Sequence, residues 1–421
     1  MKKALSLIFV FMFIFSGCKY INLSKDKNNE TPKQNQSKDN SKEEYSIKKD
    51  PNKIRITAVG DIILHETQLI SHYDAPTKSY DFKDNFEYVK PYIEEADLAI
   101  ANLETTLAGS KEKYSGFPVF NSPDEILDAL KFSGFDVLSA ANNHIMDKGT
   151  QGLIRTAEVV KSKGFDLMGI RENIKVPTYV IKEVKGIKFG FSNYVFETDK
   201  KGSSRTLNSI KISNNALELF DRFNYSELEA NYKEMEKRIN EMKSKGAEVI
   251  VFSMHWGNEY ERKPNEYQKK ISKKLADLGV DIIIGGHPHV IQPMEYISSN
   301  VSKKNTLVLY SLGNFLSNQR REIINNKYPE DGIIVNIDFA KDKDSNKFQL
   351  DSVSYVPTWV YRKSIDNTKF TYKIVPLNEV KEGNNIPIDE ENIKKAEDSY
   401  KETINLFESY NAKPVLAPSL K

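Results

Sequence analysis

Six short apolar runs, each stopped abruptly by polar or glycine residues, constrain this chain more than any other feature. They read IRITAVGD (54–61), ADLAIANLE (96–104), DVLSAANNH (136–144), EVIVFSMHWG (248–257), VDIIIGGHPH (280–289) and NTLVLYSLGNF (305–315). Near-continuous apolar character suits strands covered on both faces, because a strand with one wet face would alternate instead. Helix-length segments separate the runs, and 84–95, 123–133, 150–163, 215–245 and 264–278 are predicted helices. In the fourth, Leu228, Tyr232, Met235, Ile239 and Met242 recur at alternating spacings of four and three, a stripe made for packing. TYVIKEV and IKFGFSNY about Lys185-Gly186 read as a hairpin, as do 291–298 and 305–311. The expectation is an α/β fold with mixed sheets packed on each other between helical layers.

The first residues, MKKALSLIFVFMFIFSGCKY, place Lys2 and Lys3 before an apolar run that ends in Ser16-Gly17-Cys18. The run is too short for a membrane-spanning helix and has the order of a secretory signal. Cys18 is the only cysteine and sits where a bacterial lipobox places its lipidated residue, although Phe15 departs from the aliphatic residue usual there. An uncleaved anchor or an ordinary secretion signal with a free thiol are the alternatives. Each puts the rest of the chain on the extracytoplasmic face of the cell membrane, and a lone cysteine allows no internal disulfide. Residues 19–50 are Lys, Asn, Ser, Asp and Gln with few apolar side chains, the composition of a disordered tether. A folded domain over 51–320 and an extension over 321–421 complete the expected organisation.

Lys and Arg number 61 against 59 Asp and Glu, so no global charge favours nucleic acid, and no basic stripe with interleaved aromatics is present. Nor is there a Gly-rich phosphate loop, a Rossmann fingerprint or a Ser-His-Asp order. The six histidines are more informative: His144, His255, His287 and His289 all fall just after an apolar run. Ligands of open α/β sheets bind beyond the carboxyl ends of the strands, so these histidines are expected to converge. Asp61, Asn102, Glu104, Asn142, Asn143 and Asn314 occupy equivalent positions. Imidazole with carboxylate and amide oxygens is a ligand set for Mn, Zn or Fe, and one or two such divalent ions are expected. Asp147 and Gly149 shape the loop after His144 or orient that histidine, or else cap the helix that begins at TQGLIRTAEVV. Trp256, Glu259 and Tyr260 are candidate pocket wall or ordinary packing, and Asn102, Asn142 and Asn314 are candidate substrate contacts.

In order, GDIIL, ANLETTLAG, AANNHIMDKGTQGL, MHWGNEY, GGHPHVIQPME and SLGNF resemble the CapA family of capsule and poly-γ-glutamate biosynthesis proteins over residues 54 to 317. The resemblance implies a four-layer αββα sandwich similar to calcineurin-like metallophosphoesterases. It further implies Asp61 and His289 at a first metal, Glu104 as the bridging carboxylate, and Asn143, His255 and His287 at a second. His144 would then be the general acid, with Asp147 beside it. Ile63 stands where the phosphoesterases carry a histidine; His65 is the nearby candidate to compensate, and His72 is read as a surface residue. Two functions follow from the resemblance. One is an accessory role in polymer synthesis or export, binding the anionic polymer or the membrane components of a polyglutamate synthase. The other is a metal-dependent hydrolase acting on a phosphoester or another wall-related substrate.

Beyond residue 320, 332–363 reads as a sheet-extending hairpin with its turn near Asp344-Ser345-Asn346. A helix is predicted after Pro387, with acidic residues in its first turn as the helix dipole favours, followed by a frayed PVLAPSLK end.

Overall fold

The computed structural model of the protein describes residues 50–420 apart from 202–203, 344–346, 385, 411 and 413. The expected signal segment, Cys18, the tether up to residue 49 and the turn at 344–346 lie outside the described residues. The strands that shape the site are, in chain order, β1 (Lys53–Ile62), β2 (Leu98–Leu103), β3 (Val137–Ser139), β4 (Asp166–Met168), β5 (Val180–Val184), β6 (Ile187–Phe196), β7 (Val249–His255) and β8 (Ile282–Gly286). They continue with β9 (Met294–Ser298), β10 (Asn305–Leu309), β11 (Asn314–Leu316), β12 (Asp331–Lys341), β13 (Phe348–Ser364), β14 (Phe370–Pro376) and β15 (Val415–Leu416). The principal helices are α1 (Glu66–His72), α2 (Glu125–Ser133), α3 (Gly149–Ser162), α4 (Leu228–Ser244), α5 (Glu266–Leu278), α6 (Arg321–Ile324) and α7 (Glu390–Glu408).

Two sheets result. The first runs β14-β13-β12-β1-β2-β3-β4, with β11 paired to the end of β1. The second is built on β6-β7-β8-β10-β9, with β5 antiparallel to β6. Ile54, Ile56, Leu98 and Ile100 of the first sheet meet Phe189, Phe191, Val251 and Ile284 of the second in one buried layer. On the far side of the first sheet, Val59, Ala99 and Leu103 pack under α2 and α3. On the far side of the second, Ile250, Phe252 and Ile283 pack under α4 and α5. Val251 and its neighbours Ile250 and Phe252 thus all find apolar partners, which is why the runs do not alternate. The layers are helix, sheet, sheet, helix, the sandwich expected.

Local expectations fare unevenly. α2, α3 and α5 fall where predicted, and both hairpins form. The stripe Leu228, Tyr232, Met235, Ile239 and Met242 is buried, but α4 begins only at Leu228, because 222–223 adds a short strand beside β6. The segment 84–95 breaks into a short 3-10 turn and the helix Lys90–Glu94. The C-terminal hairpin is central: β12 lies directly antiparallel to β1 and completes the first sheet. The tail is not frayed. β15 pairs with β13, and the Leu420 amide donates to Glu379 at 2.7 Å.

Asp331, the first residue of β12, is buried and accepts a 2.6 Å hydrogen bond from the Ser399 hydroxyl of α7. Burial pushes its pKa up to about 7, with Glu330 and Glu402 adding to the rise against the Ser399 bond. The folded chain therefore holds this proton more tightly than the unfolded chain, whose carboxyl titrates near about 4. The resulting stabilisation is complete below that unfolded value and is lost as pH rises to about 7. Asp331→Asn keeps the acceptor for Ser399 and is expected to flatten the pH dependence, leaving the variant more stable than wild type at alkaline pH by roughly 2–4 kcal/mol. Urea unfolding from pH 5 to 8 measures this. Parallel curves for the two chains would show that Asp331 does not titrate as described.

Candidate metal centre

Parallel register brings the strand ends together. Asp61 of β1 lies level with Asn102 of β2 and Asn314 of β11, and His255 of β7 lies level with Gly286 of β8. The Asp61 carboxylate joins the two sheets, accepting from Asn102 Nδ2 at 2.8 Å and from the His287 backbone N–H at 3.1 Å. That approach requires Gly286, where a Cβ would come 2.7 Å from Asp61 Oδ1. Beyond it the chain turns sharply through His287 and His289, with φ of +95° and +57°, a backbone region that costs non-glycine residues about 1–3 kcal/mol each. The turn sets the two imidazoles 5.9 Å apart around Pro288. Tyr260 N–H donates to the Pro288 carbonyl at 2.8 Å and fixes the turn from outside.

Glu104 follows β2 and is fully buried, and neither of its carboxylate oxygens has a hydrogen-bond partner among the described residues. Its Oε1 lies 3.6 Å from His255 Nε2 and 3.7 Å from His289 Nε2, too far for hydrogen bonds. Two donors on one tetrahedral ion, each about 2.1 Å from it, stand about 3.4 Å apart. Among the described residues, two sets of potential ligand atoms lie within 4.8 Å of one another, Glu104 with His287 and His289, and Asp61 with Glu104 and His255. Glu104 belongs to both. His287 and His289 thus both approach Glu104, and His289 Nδ1 also lies 3.2 Å from Asp61 Oδ2, the pair that the resemblance places at a first metal.

The electrostatics suit a divalent cation. Burial, then the Asp61 charge, pushes the Glu104 carboxyl well above its ordinary range. Burial, with neighbouring imidazoles, holds His255 and His287 well below theirs, in the neutral form that ligates metals. For His289 burial opposes protonation, but Glu104 and Asp61 outweigh it and raise the pKa to about 9. Amide oxygens stand beside the rings: Asn143 Oδ1, itself a candidate ligand, lies 2.8 Å from His255 Nε2, and Asn314 Oδ1 lies 3.1 Å from His289 Nδ1. His287 Nδ1 is buried with no partner. Orphaned buried donors and acceptors of this kind fit a divalent metal.

His144 stands beside this cluster. Its Nδ1 is 2.8 Å from Asp147 Oδ2, which also accepts the Phe120 N–H at 2.7 Å. Its ring packs edge-on against Phe120 at 4.5 Å. His144, His289, Glu259, Tyr260 and His65 line one cavity of about 330 Å³. Asp147 thus orients His144 and does not line the cavity.

Four expected pocket residues are occupied within the protein. Trp256 is fully buried behind the site and donates its Nε1–H to the Tyr310 carbonyl at 2.9 Å, so it is packing, not pocket wall. Asn142 donates to the Leu103 carbonyl at 2.8 Å and accepts from the His144 N–H. Asn102 and Asn314 hold Asp61 and His289, so these amides position ligands and do not face the cavity. Ile63 and His65 do line it, but His65 caps α1 and its Nδ1 accepts from the Asn318 N–H at 3.2 Å, outside both ligand groups. His72 is not a surface residue: its ring bonds the Gln68 carbonyl and Asn85 Oδ1 at 2.8 and 2.9 Å. Phe117 and Phe120 were not anticipated, since nothing in the 115–121 sequence marks that loop as a neighbour of the histidines.

A buried, unpartnered carboxylate destabilises a fold unless a cation meets it. Mn²⁺ or Zn²⁺ is therefore expected to raise the melting temperature of the chelator-treated protein, and Glu104→Gln to raise the metal-free value while shrinking the metal-induced rise. Thermal unfolding with and without metal tests both; equal metal-induced shifts in the two chains would remove Glu104 from the site.

Relatives agree with this reading of the sequence. The chain is 29% identical over 277 residues to the capsule biosynthesis protein CapA of Bacillus anthracis, covering 63% of this chain and 60% of that one. It is 28% identical over 265 residues to the PGA biosynthesis protein CapA of Bacillus subtilis, covering 62% of each. It therefore spans less than two thirds of the length of these curated relatives. Among solved structures, the calcineurin-like phosphoesterase YfkN from Bacillus subtilis aligns with 83% of this chain and 97% of its own, at 15% identity and a TM-score of 0.41. Residues 55–319, well over half of the sequence, match the family described as bacterial capsule synthesis protein PGA_cap, and the chain belongs to that family.

Proposed function

We propose that this protein is tethered on the extracytoplasmic face of the membrane and serves capsule or poly-γ-glutamate synthesis through a divalent-metal centre that acts on the polymer or a related wall substrate. The observation that carries this reading is Glu104, an unpartnered buried carboxylate shared by two groups of metal-ligand type. The names of the Bacillus relatives support the biosynthetic context. Lys2, Lys3, the apolar run and Cys18 support the tether. Among the described residues no helix is long and apolar enough to cross a membrane.

Asp61, Glu104, Asn143, His255, His287 and His289 would hold one or two ions of Mn, Zn or Fe. Such ions polarise a bound oxygen and lower the pKa of water. The chain supplies the rest. Asp147 holds His144 through Nδ1, which leaves Nε2 to give a proton to the group departing from a phosphoester or an amide. Asp147 is thus a positioning residue and His144 the catalytic one. A non-hydrolytic role, binding the polymer or synthase components during export, is the second reading. Ile63 favours it, because the resemblance to phosphoesterases calls for a histidine ligand of the first metal at that position, and an apolar side chain cannot supply one.

Elemental analysis of chain purified without chelator or nickel is expected to find one or two equivalents of transition metal, and less than half as much in His287→Ala. No metal after reconstitution with Mn, Zn or Fe would end the metal reading. If the hydrolytic reading holds, His144→Ala keeps the metal but loses about 10²–10⁴-fold in release of amine from poly-γ-glutamate or of phosphate from a phosphoester. Turnover equal in both chains would remove His144 from the chemistry, and no turnover by the metal-loaded wild type would leave the binding role.

The tether is tested separately. Cys18→Ser is expected to move the protein from the membrane to the soluble fraction, and retention at the membrane would mean that the apolar segment itself is the anchor.

A further inference from the structure

The cavity over the cluster has a floor and walls of different character. His144 and His289 face it from the cluster, whereas Phe117, Phe120, Ile63 and Ile323 give it apolar sides. Phe117 is 76% exposed and Ile323 60% exposed, so large apolar side chains stand open at the cavity mouth. Phe117 is not on a loose loop. Ser115 and Asn121 exchange backbone hydrogen bonds of 3.0 and 2.9 Å across the loop base. Gly116 N–H donates to Glu66 at 3.3 Å, and Phe120 N–H donates to Asp147, the carboxylate that also orients His144. Holding a phenyl ring in water by this many bonds leaves apolar area to be covered.

The charge of the walls is equally one-sided. Glu66 and Glu259 line the cavity, and among the described residues no Lys or Arg does. Neighbouring arginines are engaged by protein groups: Arg320 and Arg321 pair with Glu330 at 3.3 and 3.0 Å, and Arg362 donates to Asn318 of the cavity wall at 3.1 Å. Beyond the histidines and the metal expected at its floor, a ligand carrying a carboxylate on every residue would meet two glutamates on the walls and, among the described residues, no Lys or Arg. An apolar group bearing an amine would find aromatic contact and two carboxylates.

We propose that this cavity is a specificity pocket for the part of the substrate next to the reacting bond, and that it takes an apolar group carrying a cationic amine in preference to a further glutamate carboxylate. The proposal rests on the metal-centre reading above. It assigns the polyanionic side of the substrate to the outside of the cavity and the amine-bearing side, an amino acid or peptide residue, to the inside.

Hydroxamates, which chelate divalent metals, separate the two ideas when their affinities for the purified, Mn²⁺-loaded full chain are measured by calorimetry. Acetohydroxamate reports the metal alone. Benzohydroxamate is expected to bind about tenfold more tightly, because its ring covers Phe117 and Ile323. A 4-aminomethyl substituent should strengthen binding by about threefold and a 4-carboxyl substituent weaken it by about threefold. Phe117→Ala, at an exposed position, should narrow the difference between benzohydroxamate and acetohydroxamate, and Glu259→Gln the difference between amine and carboxylate. Acetohydroxamate binding without discrimination among the aromatic compounds, or a preference for the carboxylate, would overturn the pocket while leaving the metal reading intact. No acetohydroxamate binding at all would sink the metal reading, and the pocket with it.

Discussion

The arrangement turns on the Asp61 carboxylate, where the two sheets meet. It sits at the end of a central strand of the first sheet and accepts the backbone N–H of His287, which leaves the second sheet. Without that bond, the fully buried carboxylate would lose one of the donors that compensate its removal from water. The same contact dictates Gly286, fixes the height of the His287 to His289 turn and aims both imidazoles at Glu104. Packing between the sheets and geometry at their ends are therefore one problem with one solution. A relative slide of the sheets would break the Asp61 contacts and the inter-sheet core together.

The cluster is built against stability. Two carboxylates and three imidazoles share a buried space, two histidines adopt left-handed backbone, and Glu104 is left without a donor. The amides of Asn102 and Asn314 do not relieve this, since they hold Asp61 and His289. Strain and unpaired charge concentrated at strand ends, with a well-packed core on both sides, mark where a fold has been shaped by binding instead of by folding alone. Asp147 shows the same economy, since one carboxylate both orients His144 and anchors the loop that walls the cavity.

Much of this was legible in the sequence, for a physical reason. Apolar runs such as EVIVFSMHWG have no alternation because both strand faces are covered, so strands, layers and strand ends could be read from local pattern. Histidines placed directly after such runs had to lie at one rim of the sheets. The amphipathic stripe of α4 was equally plain, because its period belongs to a single helix. Less legible were long-range choices. The run that forms β12 would look the same on a sheet edge as it does beside β1, since the period of a strand does not name its partner. Trp256 could not be told from a pocket wall, because one residue past a strand end the chain can point either way.

The sequence by itself determined that this is a layered α/β protein with histidines, carboxylates and amides gathered at its strand ends, since those properties follow from residue spacing and burial. Only the tertiary structure decided how the donors are grouped, which amides aim ligands, and that a loop carrying Phe117 and Phe120 closes one side of the cavity. Those outcomes depend on distances between segments far apart in the chain, from Phe120 and Asp147 to Glu104 and His255, and no local pattern encodes them.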